Sequence, residues 1–163
     1  VRPHPQEVRH AKEKFDLLKE RYKDNDNIII QTDFSKNAEV LEADLLITDW
    51  SGIGYEYAFT TKKPVLYIDT PMKVMNPHYK DIGIEPFNIW TRNVIGKSLK
   101  PTELSKVNKI VKELLSNGES YKKDITNLLN DSVYNLGHAD EAGALAIIDC
   151  VKKRIKERKE NDD

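Results

Sequence analysis

The sequence predicts an α/β fold, a Rossmann-like parallel sheet with flanking helices, and three observations lead there. Short β-branched runs alternate with amphipathic segments between residues 27 and 69, in the order strand, helix, strand, helix, strand, with brief links. Such alternation favours parallel strands joined by right-handed helical crossovers. The run "LLITDWSGIGYEYAF" (45–59) passes from strand to helix through a serine and two glycines, the junction at which open parallel sheets carry ligands. The last third of the chain reads as helix, with apolar stripes at 104–114, 125–129 and 144–155.

Taken in order, Val8, Ala11, Phe15, Leu18 and Tyr22 recur at helical spacing, and Pro5 suits a first turn where its missing N–H costs nothing. "NIIIQTD" (27–33) reads as a buried strand. "SKNAEVLEA" (35–43) reads as a short helix with Ser35 as N-cap. "DLLITD" (44–49) and "PVLYID" (64–69) are expected to be the next two strands, with a helix over 51–61 between them. From Thr70 to Ser98 the pattern dissolves, with three prolines and no clean period; a connector of that length in a compact domain is expected to be functional. "SNGES" (116–120) and "YNLGHAD" (134–140) supply helix stops and restarts.

The chain has 163 residues, 39% of them hydrophobic, which suits one globular domain over 1–163 with a proper core. Its 26 basic and 27 acidic side chains nearly cancel, so no global field draws nucleic acid, and any anion must be bound locally. The lone Cys150 has no internal disulfide partner and fits a reducing, cytoplasmic setting. No apolar run approaches the ~20 residues of a spanning helix. "VRPHP" carries no signal-peptide series and reads as the tail of a strand, so the chain is expected to be a piece of a longer protein.

At "TDWSGIG", the first-turn amides from Ser51 through Gly52 and Ile53 to Gly54, the Ser51 hydroxyl and the positive end of the helix dipole suit a phosphate. The same residues equally suit a serine N-cap followed by glycines that permit tight helix–strand packing, and local spacing does not separate the two. Asp49 precedes the turn, and Glu56 lies one turn in, where it either reaches a ribose hydroxyl or is solvated. Arg2 and His4 in "RPHP" pair a guanidinium with an imidazole, a combination suited to a phosphoryl or diphosphate group, although a lone histidine is more often structural. Lys73, His78 and Arg92 are further candidate anion contacts, though each singly reads more readily as a surface residue. "IGKS" fails as a P-loop, because Thr91 stands where the first glycine belongs and no strand is expected before it. No Cys/His cluster has zinc spacing and no aspartate series forms a calcium loop, so no metal site is expected. The basic run 152–159 reads as a solvated helix end.

Together, "RPHP", "ADLLITDWSGIGYEYAFTTKKPVLYID", the glycine of "VIGKS" and "YNLGHADEAGALAIIDCV" resemble the CDP-glycerol glycerophosphotransferase family, which builds teichoic-acid and related polyol-phosphate polymers. Where that family typically has an aspartate, a tyrosine and a pair of serines, this chain has Asp49, Trp50, Ser51 and Gly52. The resemblance implies a GT-B architecture of two Rossmann-like halves, with this chain as most of the C-terminal, donor-binding half. It implies a CDP-activated polyol as donor, glycerol phosphate as the group moved and a polymer or lipid-linked hydroxyl as acceptor. It further implies His4 as the catalytic histidine, the donor diphosphate at the Ser51 turn, no required cofactor, and peripheral contact with the inner face of a membrane. An acceptor-binding N-terminal domain and a second histidine motif belong upstream in the family, so the piece alone is expected to be inactive. Two other readings stay open: a sugar-nucleotide glycosyltransferase or epimerase of the same architecture, and a noncatalytic phosphate- or partner-binding module.

Overall fold

A computed structural model describes residues 1–33, 38–72, 74 and 76–161, and the chain forms two compact units, Val1–Ala43 and Asp44–Asp163.

The first unit is mainly helical. α1 (Pro5–His10) begins with proline at its first position and is followed by α2 (Lys12–Arg21). One helix over 5–22 was the expectation; the break falls at Ala11, whose φ −134° and ψ 42° leave the helical region. Phe15 is the buried residue of α2. Asn27 lies in a turn and residues 28–33 form no strand, contrary to the reading of "NIIIQTD". Val1 donates to the Ile29 carbonyl and accepts from the Gln31 amide (2.9 Å), and one paired residue does not make a ladder. Side-chain bonds tie this stretch down, from Lys19 Nζ to Thr32 Oγ1 and from Gln31 Nε2 to Glu39 Oε2, both 2.7 Å. Glu39 belongs to α3 (Ala38–Glu42), while the proposed cap Ser35 lies outside the described residues.

The second unit holds a three-stranded parallel sheet in the order β1 (Leu46–Thr48), β2 (Val65–Ile68), β3 (Gly96–Leu99). The Rossmann-like α/β class read from the sequence is the class observed. β2 is central: Val65, Leu66 and Tyr67 are buried, as a strand covered on both faces requires. On one face Leu66 and Leu99 pack with Leu114 of α7 (Val107–Ser116), flanked by Ile68, Ile110 and Val111. On the other, Tyr67 lies under α4 (Ile53–Thr61) and α6 (Arg92–Ile95), over which α8 (Gly118–Ser132) packs with Ile125 and Leu128 buried.

The third strand emerges inside the stretch that reads as irregular, after a 3-10 turn (Tyr79–Ile82) and α5 (Phe87–Trp90). "GKSL" has one large apolar residue, and pairing with β2 rather than side-chain pattern makes it a strand. Gly96 is needed there, since a Cβ at that position would lie 1.7 Å from the Val65 carbonyl oxygen. Lys97 and Ser98, which prompted the P-loop test, are thus sheet residues. After α8, Asn135 and Gly137 take left-handed φ values of 55° and 80° in the turn into α9 (Ala139–Asn161). α9 forms as its spacing predicts, but Leu145, Ile147, Ile148, Val151 and Ile155 along it remain exposed.

Candidate functional site

The C-terminal ends of β1 and β2 carry the turn that the sequence singles out. β1 stops at Thr48, and Asp49, Trp50, Ser51 and Gly52 lead into α4. Asp49 Oδ1 accepts the Ser51 amide at 3.1 Å, closing an aspartate turn. Ser51 Oγ accepts the Ile53 amide at 3.4 Å, and the Ser51 and Gly52 carbonyls accept the amides of Gly54 (3.3 Å) and Tyr55 (3.0 Å). The turn's own groups therefore occupy most of the donors that an anion would use. The Gly52 amide has no acceptor among the described residues, and Ser51, which accepts through Oγ, keeps its hydroxyl proton to donate. The two glycines differ: a Cβ on Gly52 would meet open space, whereas one on Gly54 would lie 2.4 Å from the Tyr67 hydroxyl. Gly54 is a packing glycine that seats α4 on β2, and Gly52 is the one that leaves the backbone approachable. Ile53 is half-buried; Asp49 and Glu56 are exposed.

Behind the turn lies Arg92, which the sequence offers as a surface anion contact. The structure buries it, with 4% of its surface exposed. Its guanidinium carbon sits 3.9 Å from the Trp50 ring centroid and 4.4 Å from that of Tyr67. Nη1 is 2.7 Å from Asp69 Oδ1, immediately beyond β2, but that ion pair is out of line for a hydrogen bond: Asp69 Oδ1, Arg92 Nε and Nη2 and the Tyr67 hydroxyl are buried without hydrogen-bond partners among the described residues. Burial pushes the Tyr67 phenol well above its ordinary range, against a smaller opposite pull from Arg92. Trp50 Nε1 donates to the Thr70 carbonyl at 2.7 Å, so both the face and the edge of its ring are held. Alongside, Thr91 and Tyr55 share a hydroxyl–hydroxyl bond of 3.1 Å, and burial raises the Tyr55 phenol as well.

Sequence reasoning names Trp50 only as a departure from a pattern and misses Tyr67, Asp69 and Thr70. One signal was available: Asp69 ends β2 as Asp49 ends β1, so both carboxylates belong to the same edge of the sheet.

The other candidates lie apart in the chain. His4 is the N-cap of α1, and its Nδ1 accepts the Gln6 amide at 3.2 Å. While that bond lasts, a neutral His4 carries its proton on Nε2, so the exposed ring donates from Nε2 and can take up a proton at Nδ1 only by releasing the cap. Arg2 is half-buried. His78 is exposed, with Nδ1 3.3 Å from Asp81 Oδ2, and Lys73 lies outside the described residues. Among the described residues no three His, Cys, Asp or Glu side chains are grouped to hold a metal ion, and no helix is long and apolar enough to cross a membrane.

Fold and turn together define a Rossmann-like α/β protein with a strand-to-helix turn at the carboxyl edge of its sheet. Residues 1–82 match the model of the CDP-Glycerol:Poly(glycerophosphate) glycerophosphotransferase family, and the chain belongs to that family. At family level its function is that of a transferase of the glycerophosphotransferase kind. No curated protein and no solved structure matches the chain.

Proposed function

We propose that this chain is the donor-binding part of a transferase that moves a polyol phosphate, glycerol phosphate first among the candidates, from a CDP-activated donor to an acceptor hydroxyl. The observation that carries the reading is the extent of the family match: residues 1–82 include Arg2, His4 and the whole Asp49–Glu56 turn. In the reaction, the acceptor oxygen forms a bond to the donor's β-phosphorus as the bond from that phosphorus to the bridging oxygen breaks. Cytidine monophosphate leaves with that oxygen, and the acceptor's proton passes to a base.

The residues have distinct assignments. The Gly52 amide, the Ser51 hydroxyl and the α4 dipole hold the diphosphate, while Asp49 shapes the turn by occupying the Ser51 amide. Its carboxylate at that helix end disfavours a second anion, against which the α4 dipole and the Gly52 amide act. The roles that the family resemblance gives Arg2 and His4 fall to the first unit, where His4 serves as base only when its Nδ1 leaves the Gln6 amide. The GT-B partner domain, the polymer or lipid-linked acceptor, a place in teichoic-acid-type cell-envelope synthesis and peripheral membrane contact belong to this proposal as well.

Calorimetric titration with CDP-glycerol, CDP-ribitol, UDP-glucose and GDP-mannose tests it. The expected result is preference for the cytidine diphosphates, weakened at least ~10-fold by Ser51→Ala combined with Gly52→Pro, which removes the open amide; ~10-fold corresponds to the loss of about one charge-assisted hydrogen bond. Preference for UDP- or GDP-sugars overturns the reading in favour of a sugar-nucleotide enzyme. Retention of transferase activity in a full-length protein carrying Arg2→Ala and His4→Ala overturns the roles given to those two residues.

A further inference from the structure

We propose that Arg92 is a positioning residue for the Asp49–Gly52 turn, acting through Trp50, and not itself a donor ligand. The inference deepens the reading of that turn as the donor site and rests on it. The geometry keeps the guanidinium from an incoming anion: the Trp50 and Tyr67 rings both lie against it, Asp69 pairs its charge, and its side chain is 5% exposed. To reach a phosphate it would have to displace Trp50 and leave Asp69 behind.

What Arg92 does touch is the residue at the centre of the turn. The Trp50 backbone joins Asp49, which closes the turn, to Ser51, whose hydroxyl and following amide are the groups available to an anion. The indole is fixed on its face by the guanidinium and at its edge by the Thr70 carbonyl, 2.7 Å from Nε1. A side chain held in two directions leaves its own backbone little freedom, so the Ser51 hydroxyl and Gly52 amide are set in place before a ligand arrives.

Stability alone does not account for an arginine here. Nε and Nη2 are buried without hydrogen-bond partners among the described residues, and apolar side chains of similar volume often replace a buried ion pair at no loss. Arginine contributes a flat cation that lies against two aromatic rings while pairing with Asp69. Lysine has the charge but not the plane.

The test compares Arg92→Lys, Arg92→Met and Trp50→Phe in the 163-residue chain, with CDP as probe. In ¹⁵N-labelled protein without ligand, both Arg92 variants are expected to shift the Trp50 indole and the Ser51 and Gly52 amide resonances, leaving Leu114 and Ile125 in place. Trp50→Phe, which keeps a stacking ring but loses the bond to Thr70, is expected to weaken CDP binding as the Arg92 variants do. CDP affinity is expected to fall ~10-fold or more in both Arg92 variants, with its dependence on ionic strength unchanged, because no ligand-contacting charge has been removed. Lysine matching wild type while methionine fails, or a shallower salt dependence in Arg92→Met, marks a direct anion contact and overturns the proposal. Shifts confined to residues next to 92 overturn it too. If wild-type chain does not bind CDP, the donor reading fails, and the ligand-free resonances still decide whether Arg92 sets the turn. Should the Arg92 variants not fold, CDP affinity in Trp50→Phe decides: a fall of ~10-fold or more supports the coupling through the indole, and wild-type affinity overturns it.

Discussion

Replacing Tyr67 with phenylalanine should stabilise this protein, although the residue is among the most deeply buried side chains. Its hydroxyl has no hydrogen-bond partner among the described residues, and the residue is 1% exposed. A buried polar group without a partner costs about 1–3 kcal/mol, so removing it should raise the unfolding free energy by about 1 kcal/mol once the small lost contact is allowed for. The same oxygen is the nearest atom to Gly54: an alanine Cβ there would approach it to 2.4 Å and the ring carbons Cε1 and Cζ to 2.9 Å. The ring cannot easily retreat, because Arg92 lies against it with its guanidinium carbon 4.4 Å from the ring centroid. Gly54→Ala should therefore lose about 1–3 kcal/mol to overpacking, offset by up to about 1 kcal/mol of helix propensity. In the Tyr67→Phe background the closest contact is gone, and the alanine should cost about 1 kcal/mol less. Urea unfolding of the four proteins, followed by far-UV circular dichroism at constant m-value, gives each midpoint and the coupling between the sites. A Tyr67→Phe loss above about 1 kcal/mol, or an equal Gly54→Ala cost in both backgrounds, would refute the reasoning. Either result would mean that the hydroxyl is satisfied or that α4 does not sit on Tyr67.

Two further predictions concern the sheet and its cover. Gly96→Ala should abolish the folded state or lose more than about 3 kcal/mol, since the new Cβ would fall 1.7 Å from the Val65 carbonyl and no side-chain rotation relieves a backbone clash; a thermal melt checks this. Burial pushes the Tyr57 phenol from 10.0 up to about 12. Between these values the unfolded chain has released its proton while the folded chain keeps it, so stability falls as pH rises, by up to about 1.4 kcal/mol per pH unit for this side chain. Tyr57→Phe should flatten the alkaline limb of a stability–pH profile by that amount, and an unchanged slope would show that Tyr57 ionises alike in both states.

How legible each part was follows from what fixes it. β1, α4 and β2 could be read because local pattern and burial agree: "LLIT" and "VLYI" are continuous apolar runs, and the turn between them carries its own capping residues. "NIIIQTD" has an equally apolar run and forms no strand, because among the described residues its cross-chain backbone pairing reaches only Val1. β3 shows the reverse, a strand almost without a pattern, made by the Gly96–Val65 pairing and by the space that glycine leaves. The split between Gly52 and Gly54 could not be read at all, since only the position of Tyr67 tells a glycine that packs from one that stays open.

The sequence by itself determined the α/β class, the strand-to-helix turn at Asp49–Gly54 and the resemblance to its family, because these depend on residues close together in the chain. Tertiary structure decided where Arg92 goes. An arginine carries the same charge wherever it stands, and whether it meets solvent, phosphate or two aromatic rings depends on partners 25 to 42 positions away, Tyr67 and Trp50, brought to it by the parallel sheet.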